Sequence, residues 1–198
     1  MQSVAIACIV AYLLGSIPNG LVFGKLIWQV DLREHGSHNI GATNAWRTLG
    51  KGPGFLIFLL DFFKGFISVW LGSVLAGTPM AMVLAGICAI IGHSCSVFLK
   101  FKGGKGVATG LGVIVMLMPL PALIVFAVWL LIVKISGYVS LGSIIAAALV
   151  PILAWLQGYA MEYTVFGLLA AAFVIVRHKA NIIRLLNGSE SKIKAGHR

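Results

Sequence analysis

Three polar stretches of the chain carry residue types that could do chemistry on a phosphate. The first, residues 33–47, reads R-E-H-G-S-H-N-I-G-A-T-N-A-W-R. Glycines, hydroxyls and amides between two arginines suit a loop whose backbone N–H groups face an anion while guanidinium forks grip its oxygens. The second is Gly103-Gly104-Lys105-Gly106 followed by Val-Ala-Thr-Gly. Its glycines permit close backbone approach, its lysine supplies a point charge, and a span with its positive helix end begins there. It is not a nucleotide P-loop, because Leu99 stands five residues before Gly104 and a glycine, not Ser or Thr, follows Lys105. The third runs R-H-K-A-N-I-I-R-L from Arg177 to Leu185 and starts where an apolar run ends. His178 and Asn181 are three residues apart, so on a continuing helix both would project to one face, a shape suited to a polyol.

Taken singly, each stretch has a plainer reading: a solvated loop, a flexible membrane turn, a stop-transfer charge cluster. Their recurrence on one predicted side of a membrane favours the chemical reading. Asp61 and Lys64 lie i,i+3 within an apolar run and read as a mutually neutralising structural pair, as does His93 in its own run. Ser140 and Ser143 fit helix caps or interhelical hydrogen bonds. There is no G-x-S-x-G, no H-E-x-x-H and no His/Cys/carboxylate cluster with metal spacing, so neither a metal nor a cofactor is expected.

What must position these stretches is a bilayer-embedded scaffold. With 60% hydrophobic and 10% charged residues over 198 positions, the chain is far from a water-soluble composition, in which about a quarter of residues are charged. Seven spans of about 20 residues would consume most of the length and leave one domain, 1–198. The formal charge of +10 fits membrane orientation and an anionic ligand; nucleic acid is excluded because no basic amphipathic reading element occurs. Cys8, Cys88 and Cys95 sit in or beside apolar runs without pairing or metal spacing and read as small core residues. The amino terminus lacks the basic region of a secretory signal and reads as a retained first span.

In chain order, span one covers 4–28 and is interrupted at 15–20 by Gly-Ser-Ile-Pro-Asn-Gly, which frees backbone groups that protein or a water-filled cavity must cover. A polar loop, 31–52, leads to span two (53–75), an uncharged turn (76–80), span three (81–98) and the basic turn 100–106. The run 107–133 is read as two short or partly re-entrant spans broken at Met118-Pro119-Leu120-Pro121, because a single helix would put the tail opposite the other basic loops. Spans six (139–156) and seven (159–176) follow. The outer turns 76–80, 118–121 and 158–163 then contain no Lys or Arg. The expected fold is an all-α integral membrane protein, a seven-span helical bundle with the N-terminus outside and the C-terminus cytoplasmic.

Six ordered blocks, G-S-I-P at 15–18, G-S-H-N-I-G-A-T-N-A-W-R at 36–47, D-F-F-K-G at 61–65, G-H at 92–93, F-K-G-G-K-G-V-A-T at 101–109 and R-H-K-A-N-I-I-R-L-L-N-G-S-E at 177–190, strongly resemble the bacterial acyl-phosphate-dependent glycerol-3-phosphate acyltransferases. The resemblance implies a multi-pass enzyme of the bacterial inner membrane. Such an enzyme moves an acyl group from acyl phosphate to the sn-1 hydroxyl of glycerol 3-phosphate, yielding lysophosphatidic acid, with membrane lipids around it and no cofactor. Carried over residue by residue, it implies that Ser37, Gly41, Thr43 and Asn44 cradle the acyl-phosphate headgroup and that Arg47 and Lys105 neutralise phosphate, with Gly103 and Gly104 beside them. Ser143, His178 and Asn181 would hold glycerol 3-phosphate. The catalytic candidates in this set are His178, Ser37 and Lys105. Either His178 or a substrate phosphate oxygen could take the hydroxyl proton.

One departure is His38, at a position where the family commonly carries glycine. The H-x4-D motif of acyltransferases that use acyl-CoA or acyl carrier protein is missing: Ile40, Thr43, Phe98 and Ile183 stand where its aspartate would follow His35, His38, His93 and His178. A transporter for an organic phosphate is a different class that could use the same turns, but no inverted repeat is apparent and the polar blocks cluster on the cytoplasmic side, away from the midplane. A monomer is compatible with all of these features.

Overall fold

The structure, a computed structural model, describes residues 1–193. The last basic residues of the expected cytoplasmic tail, Lys194, His197 and Arg198, lie outside them. The described residues form α-helices and one 3-10 turn, without a strand, and divide into two compact units, Met1–Val113 and Ile114–Ile193.

The first unit holds α1 (Gln2–Ser16), α2 (Asn19–Trp28), α3 (Ala42–Leu49), α4 (Lys51–Ala76), α5 (Pro79–Ser94), the 3-10 turn (Val97–Leu99) and the first part of α6 (Val107–Leu117). Where lipid is as apolar as leucine, helices associate through close backbone approach at small residues. That is how α1 meets α5: a Cβ on Gly15 would overlap the Ala89 carbonyl, and one on Gly92 would overlap that of Tyr12. Two longer-range bonds fix the contact, Tyr12 Oη to Cys95 O at 2.9 Å and Ser96 Oγ to Ser16 O at 2.6 Å.

The interruption expected at 15–20 is present. Pro18 has no N–H to continue the ladder, and α1 stops at Ser16. The Ile17 carbonyl left behind accepts from Lys64 Nζ at 2.8 Å, and the same ammonium pairs with Asp61 Oδ1 at 2.9 Å. The Asp61–Lys64 pair forms, as its spacing suggested, and Lys64 adds a partner for the carbonyl at the helix break.

The polar loop expected over 31–52 is only partly a loop. Ala42, Ala45 and Leu49 recur at helical spacing and pack with Leu32 and Ile57, so residues 42–49 fold as α3 against α4, which already begins at Lys51. Leu32, fully buried, anchors the start of the remaining loop.

The second unit holds α7 (Pro119–Ser136), α8 (Val139–Leu156), α9 (Met161–Arg177) and α10 (Lys179–Leu186). The run 107–133 does divide near Met118, with Pro119 at the first position of α7, where its missing N–H costs nothing. The helix expected to continue through His178 does not run straight: α9 and α10 meet there at 60°. After α10 the chain doubles back, Ile193 N–H donates to Gly137 O at 2.7 Å, and Lys192 Nζ sits 5.6 Å from the centre of the Tyr138 ring.

Among the described residues, five segments are long and apolar enough to cross a membrane, Gln2–Trp28, Lys51–Ala76, Pro79–Leu99, Pro119–Ser136 and Val139–Leu156, and six if the bent pair α9 and α10 counts as one.

Candidate active site

Asn44 organises the first polar stretch. It is 1% exposed and uses both ends of its amide on the loop before it. Nδ2 donates to the carbonyls of Leu32 (2.9 Å), His35 (3.0 Å) and Asn39 (2.8 Å), and Oδ1 accepts from the Ser37 N–H at 2.8 Å. The loop therefore wraps around one side chain and leaves Ser37 exposed at its crest. Gly36 has φ +57°, and a Cβ there would overlap Asn44 Oδ1. His38 also has φ +57°, the left-handed region glycine enters without cost, which gives a physical reason for the smaller residue expected there. Its Nδ1 lies 2.9 Å from Arg33 O.

Gly41, held by Asn39 Oδ1 on its N–H at 2.9 Å, starts α3. Thr43 and Arg47 then fall one helical turn apart on α3, both half-buried. Arg33, the other bracketing arginine, is committed elsewhere: its fork binds Asp31 at 2.6 and 3.0 Å, and Lys25 Nζ adds a third contact at 2.9 Å. The hydrogen bond from Arg33 holds the Asp31 carboxyl well below the usual carboxylate range; partial burial opposes this and Lys25 assists it.

The second stretch closes a loop on the end of α5. Gly103 N–H donates to Ser94 O at 3.0 Å and Gly104 N–H to His93 O at 3.1 Å. These two amides serve to bring the backbone down on α5, and the half-buried Lys105 follows immediately, with Gly106 at φ +78° turning into α6. The first-turn N–H groups of a helix have no partner within it, so Lys105 and the start of α6 together suit an anion.

In the second unit the third stretch is gathered by Glu190. Its Oε1 accepts from Ser140 Oγ at 2.7 Å and from Asn181 Nδ2 at 2.7 Å, and its Oε2 pairs with Arg184 Nε at 2.7 Å. Burial pushes this carboxyl up, but the bonds from Asn181, Ser140 and Arg184 outweigh it and hold the group below its ordinary value. His178, 3% exposed at the α9–α10 bend, has Nδ1 2.8 Å from Val174 O. A carbonyl only accepts, so Nδ1 carries a proton. Ser143 Oγ donates to Val139 O at 2.8 Å and accepts from Trp129 Nε1 at 3.3 Å.

Within the first unit the structure thus joins Ser37, Gly41, Thr43, Asn44 and Arg47 in one loop–helix unit, and Gly103, Gly104 and Lys105 in a second. Within the other unit it joins Asn181 to Glu190, sets His178 at the head of the same helix, and places Ser143 on α8. Sequence reasoning gave Glu190 and Asn19 no role. The available signal was scarcity: with 5 acidic residues against 15 basic ones, a carboxylate flanked by apolar and basic segments must be bonded by something.

A family model described as Glycerol-3-phosphate acyltransferase matches residues 5–188. The chain is 48% identical over 185 residues to a glycerol-3-phosphate acyltransferase of Trichlorobacter lovleyi, covering 93% of this chain and 95% of that one. It is 46% identical over 193 residues to one of Syntrophomonas wolfei, covering 98% of each. Among solved structures it is similar to the glycerol 3-phosphate form of PlsY (YgiH), an integral membrane glycerol 3-phosphate acyltransferase, with a TM-score of 0.92, 44% identity, and 97% and 96% of the two chains covered. The lysophosphatidic acid form of PlsY matches with a TM-score of 0.90 at 41% identity, covering 98% and 96%.

Proposed function

From the premise that the chain belongs to the glycerol-3-phosphate acyltransferase family, we propose that its acyl donor is an acyl phosphate and that residues of both units serve one transfer. The protein is a multi-pass membrane enzyme that acylates glycerol 3-phosphate to lysophosphatidic acid in the bacterial cytoplasmic membrane. The observation that carries the donor is the loop wrapped on Asn44. An uncharged side chain shapes the backbone, Arg47 stands one turn beyond Thr43, and no carboxylate lies in the bracket between Glu34 and Arg47, an arrangement suited to a phosphate.

In this reading Ser37, Gly41, Thr43 and Arg47 take the acyl-phosphate headgroup on the loop that Asn44 holds. Gly103 and Gly104 set the backbone from which Lys105 neutralises phosphate, and Ser143, His178 and Asn181 hold glycerol 3-phosphate. The sn-1 hydroxyl oxygen attacks the acyl carbon, a C–O ester bond forms, the bond from that carbon to the bridging phosphate oxygen breaks, and inorganic phosphate leaves. An acyl phosphate is an activated anhydride whose leaving group needs no protein acid. The chain's task is therefore positioning, charge neutralisation and an oxyanion donor, for which Ser37 and Lys105 are the candidates. The hydroxyl proton passes to the phosphate of the acceptor, which titrates near pH 6 (about), while His178 Nε2 orients the hydroxyl.

The two units form a single enzymatic domain, and the topology is seven spans with the amino terminus outside and the carboxy terminus cytoplasmic. The eleven-residue α6 is the short member, about 16 Å long against a hydrocarbon core of about 30 Å. The distribution of Lys and Arg along the sequence supports this: with seven spans, 29–52, 99–106, Lys134 and the basic run that starts at Arg177 would all fall to the cytoplasmic side. Cysteines placed near Lys102 and Ser191 should label from the same face, and labelling from opposite faces removes α6 from the count.

The deciding experiment supplies radiolabelled glycerol 3-phosphate to the purified protein with one donor at a time, without added metal. Acyl phosphate should support turnover, and acyl-CoA and acyl carrier protein should not. Equal rates with acyl-CoA would overturn the donor assignment.

A further inference from the structure

His93, Asp61, Lys64 and Asn19 form a buried polar cluster in the first unit that the transfer step does not use. They are 5%, 2%, 4% and 7% exposed. Asp61 Oδ1 is the hub: Asn19 Nδ2 donates to it at 3.0 Å, Lys64 Nζ lies at 2.9 Å and His93 Nδ1 at 3.7 Å, within ion-pair reach. The opposite edge of the His93 ring meets the glycine loop. A Cβ on Gly104 would overlap His93 Nε2, and one on Gly103 would overlap the His93 carbonyl. The loop backbone is therefore seated on both the ring and the main chain of one residue, immediately before Lys105.

The ring is packed between a carboxylate and a backbone loop, with its Nδ1 edge toward Asp61 and its Nε2 edge against Gly104. Orientation of the ring then fixes the height and angle of the chain at Gly104, and with it the direction in which Lys105 leaves the loop. We propose that His93, oriented by Asp61, is a positioning residue for the Gly103–Gly104–Lys105 stretch. Through Lys64 on the Ile17 carbonyl, it ties that stretch to the break between α1 and α2. This rests on the reading of Lys105 as a phosphate contact. His93 touches no reacting atom. It sets where a cation waits for the donor's phosphate.

Two amide replacements separate the edges of the ring. In His93→Gln the amide reaches the place of Nε2, against the loop, whereas in His93→Asn it stands only where Nδ1 stood and leaves the loop unsupported. The measurements are kcat, KM for acyl phosphate, KM for glycerol 3-phosphate and Tm, with Lys105→Ala as the reference. His93→Asn should raise KM for acyl phosphate about tenfold while KM for glycerol 3-phosphate stays within about twofold, and His93→Gln should recover to within about threefold of the parent, at similar Tm for both. A residue that only fills space would give no such order between the two variants.

If Lys105→Ala raises KM for acyl phosphate and His93→Asn does not, the positioning role is overturned and the phosphate reading stands. If Lys105→Ala leaves both KM values unchanged, the phosphate reading falls and the positioning role falls with it. Should His93→Asn fail to fold, the variant Asp61→Asn removes the orienting charge and leaves Lys64 in place on the Ile17 carbonyl. It should raise KM for acyl phosphate in the same selective way, and an unchanged value overturns the proposal.

Discussion

Asn44 in the first unit and Glu190 in the second each gather a stretch of the candidate site, and the partners they use differ. Asn44 bonds only backbone, no more than 12 residues away, with a neutral amide. Glu190 is bonded by three side chains, one of them 50 residues distant, and it carries a charge. A neutral organiser leaves no negative field beneath a loop proposed to receive an anion. A carboxylate does the opposite: it offsets Arg184 among the cations that follow α9 and ties the returning tail to α8 through Ser140. The first arrangement is local and indifferent to pH, while the second is long-range and titratable.

The sharpest way to break the first arrangement is Asn44→Asp. Three carbonyl oxygens that now accept from Nδ2 would face a carboxylate, and each buried group left unsatisfied costs about 1 to 3 kcal/mol. The loop should open, with activity reduced more than about a hundredfold and protease access at residues 33–39. A variant within about tenfold of the parent would show that the loop does not depend on Asn44.

Glu190→Gln should follow in size, because it keeps the shape and the bonds at Oε1 but turns an amide toward Arg184. A charge-assisted bond is worth about 1.5 to 3 kcal/mol, and here the lower figure applies because the Arg184 side chain is 41% exposed. The same contrast has a pH form. The Glu190 carboxyl lies below its ordinary value of 4.5 in the folded state, so the unfolded chain binds the proton more readily. Its contribution is complete above that ordinary value and is lost as pH falls through the lower folded one. Acid should therefore raise hydrogen exchange at residues 188–193 and leave the Asn44-held amide of Ser37 unaffected. Equal acid sensitivity at both places would erase the distinction.

A smaller effect is expected from His178→Gln beside the Glu190 cluster. If the ring positions the acceptor, the amide variant keeps more than about a tenth of kcat, whereas loss of a general base costs about 10² to 10⁴. A thousandfold fall in kcat with unchanged affinity for glycerol 3-phosphate would make Nε2 the base. The smallest effect belongs to His38→Gly in the Asn44-held loop. Relief of a left-handed residue, worth about 1 to 2 kcal/mol, is set against a hydrogen bond worth about 0.5 to 1.5 kcal/mol, so Tm should move little. A drop of several degrees would show that the bond to Arg33 O outweighs the strain.

Proline made two helix breaks legible in the sequence, the interruption at Ile17-Pro18 and the division before Pro119, whereas α8 runs over the expected 139–156 with Pro151 inside it. The Asp61–Lys64 pair was legible because i,i+3 spacing is itself geometry. Residues 42–49 were read as loop because three small or aliphatic positions on a polar octamer make a weak pattern, and the burial that stabilises α3 comes from Leu32 and α4. Glu190 escaped notice for a related reason. Its partners lie 6, 9 and 50 residues away, and only the return of the chain to Gly137 brings them together.

The lysine on the Ile17 carbonyl also bears on how such a chain is made. That carbonyl emerges from the ribosome 47 residues before the ammonium that covers it. A lone first span released into lipid would leave that carbonyl with the local bond from the Asn19 N–H at 3.1 Å alone, and hydrocarbon offers it no second partner. The second span therefore completes the hydrogen bonding of the first, and Lys64 acts as the latch between them.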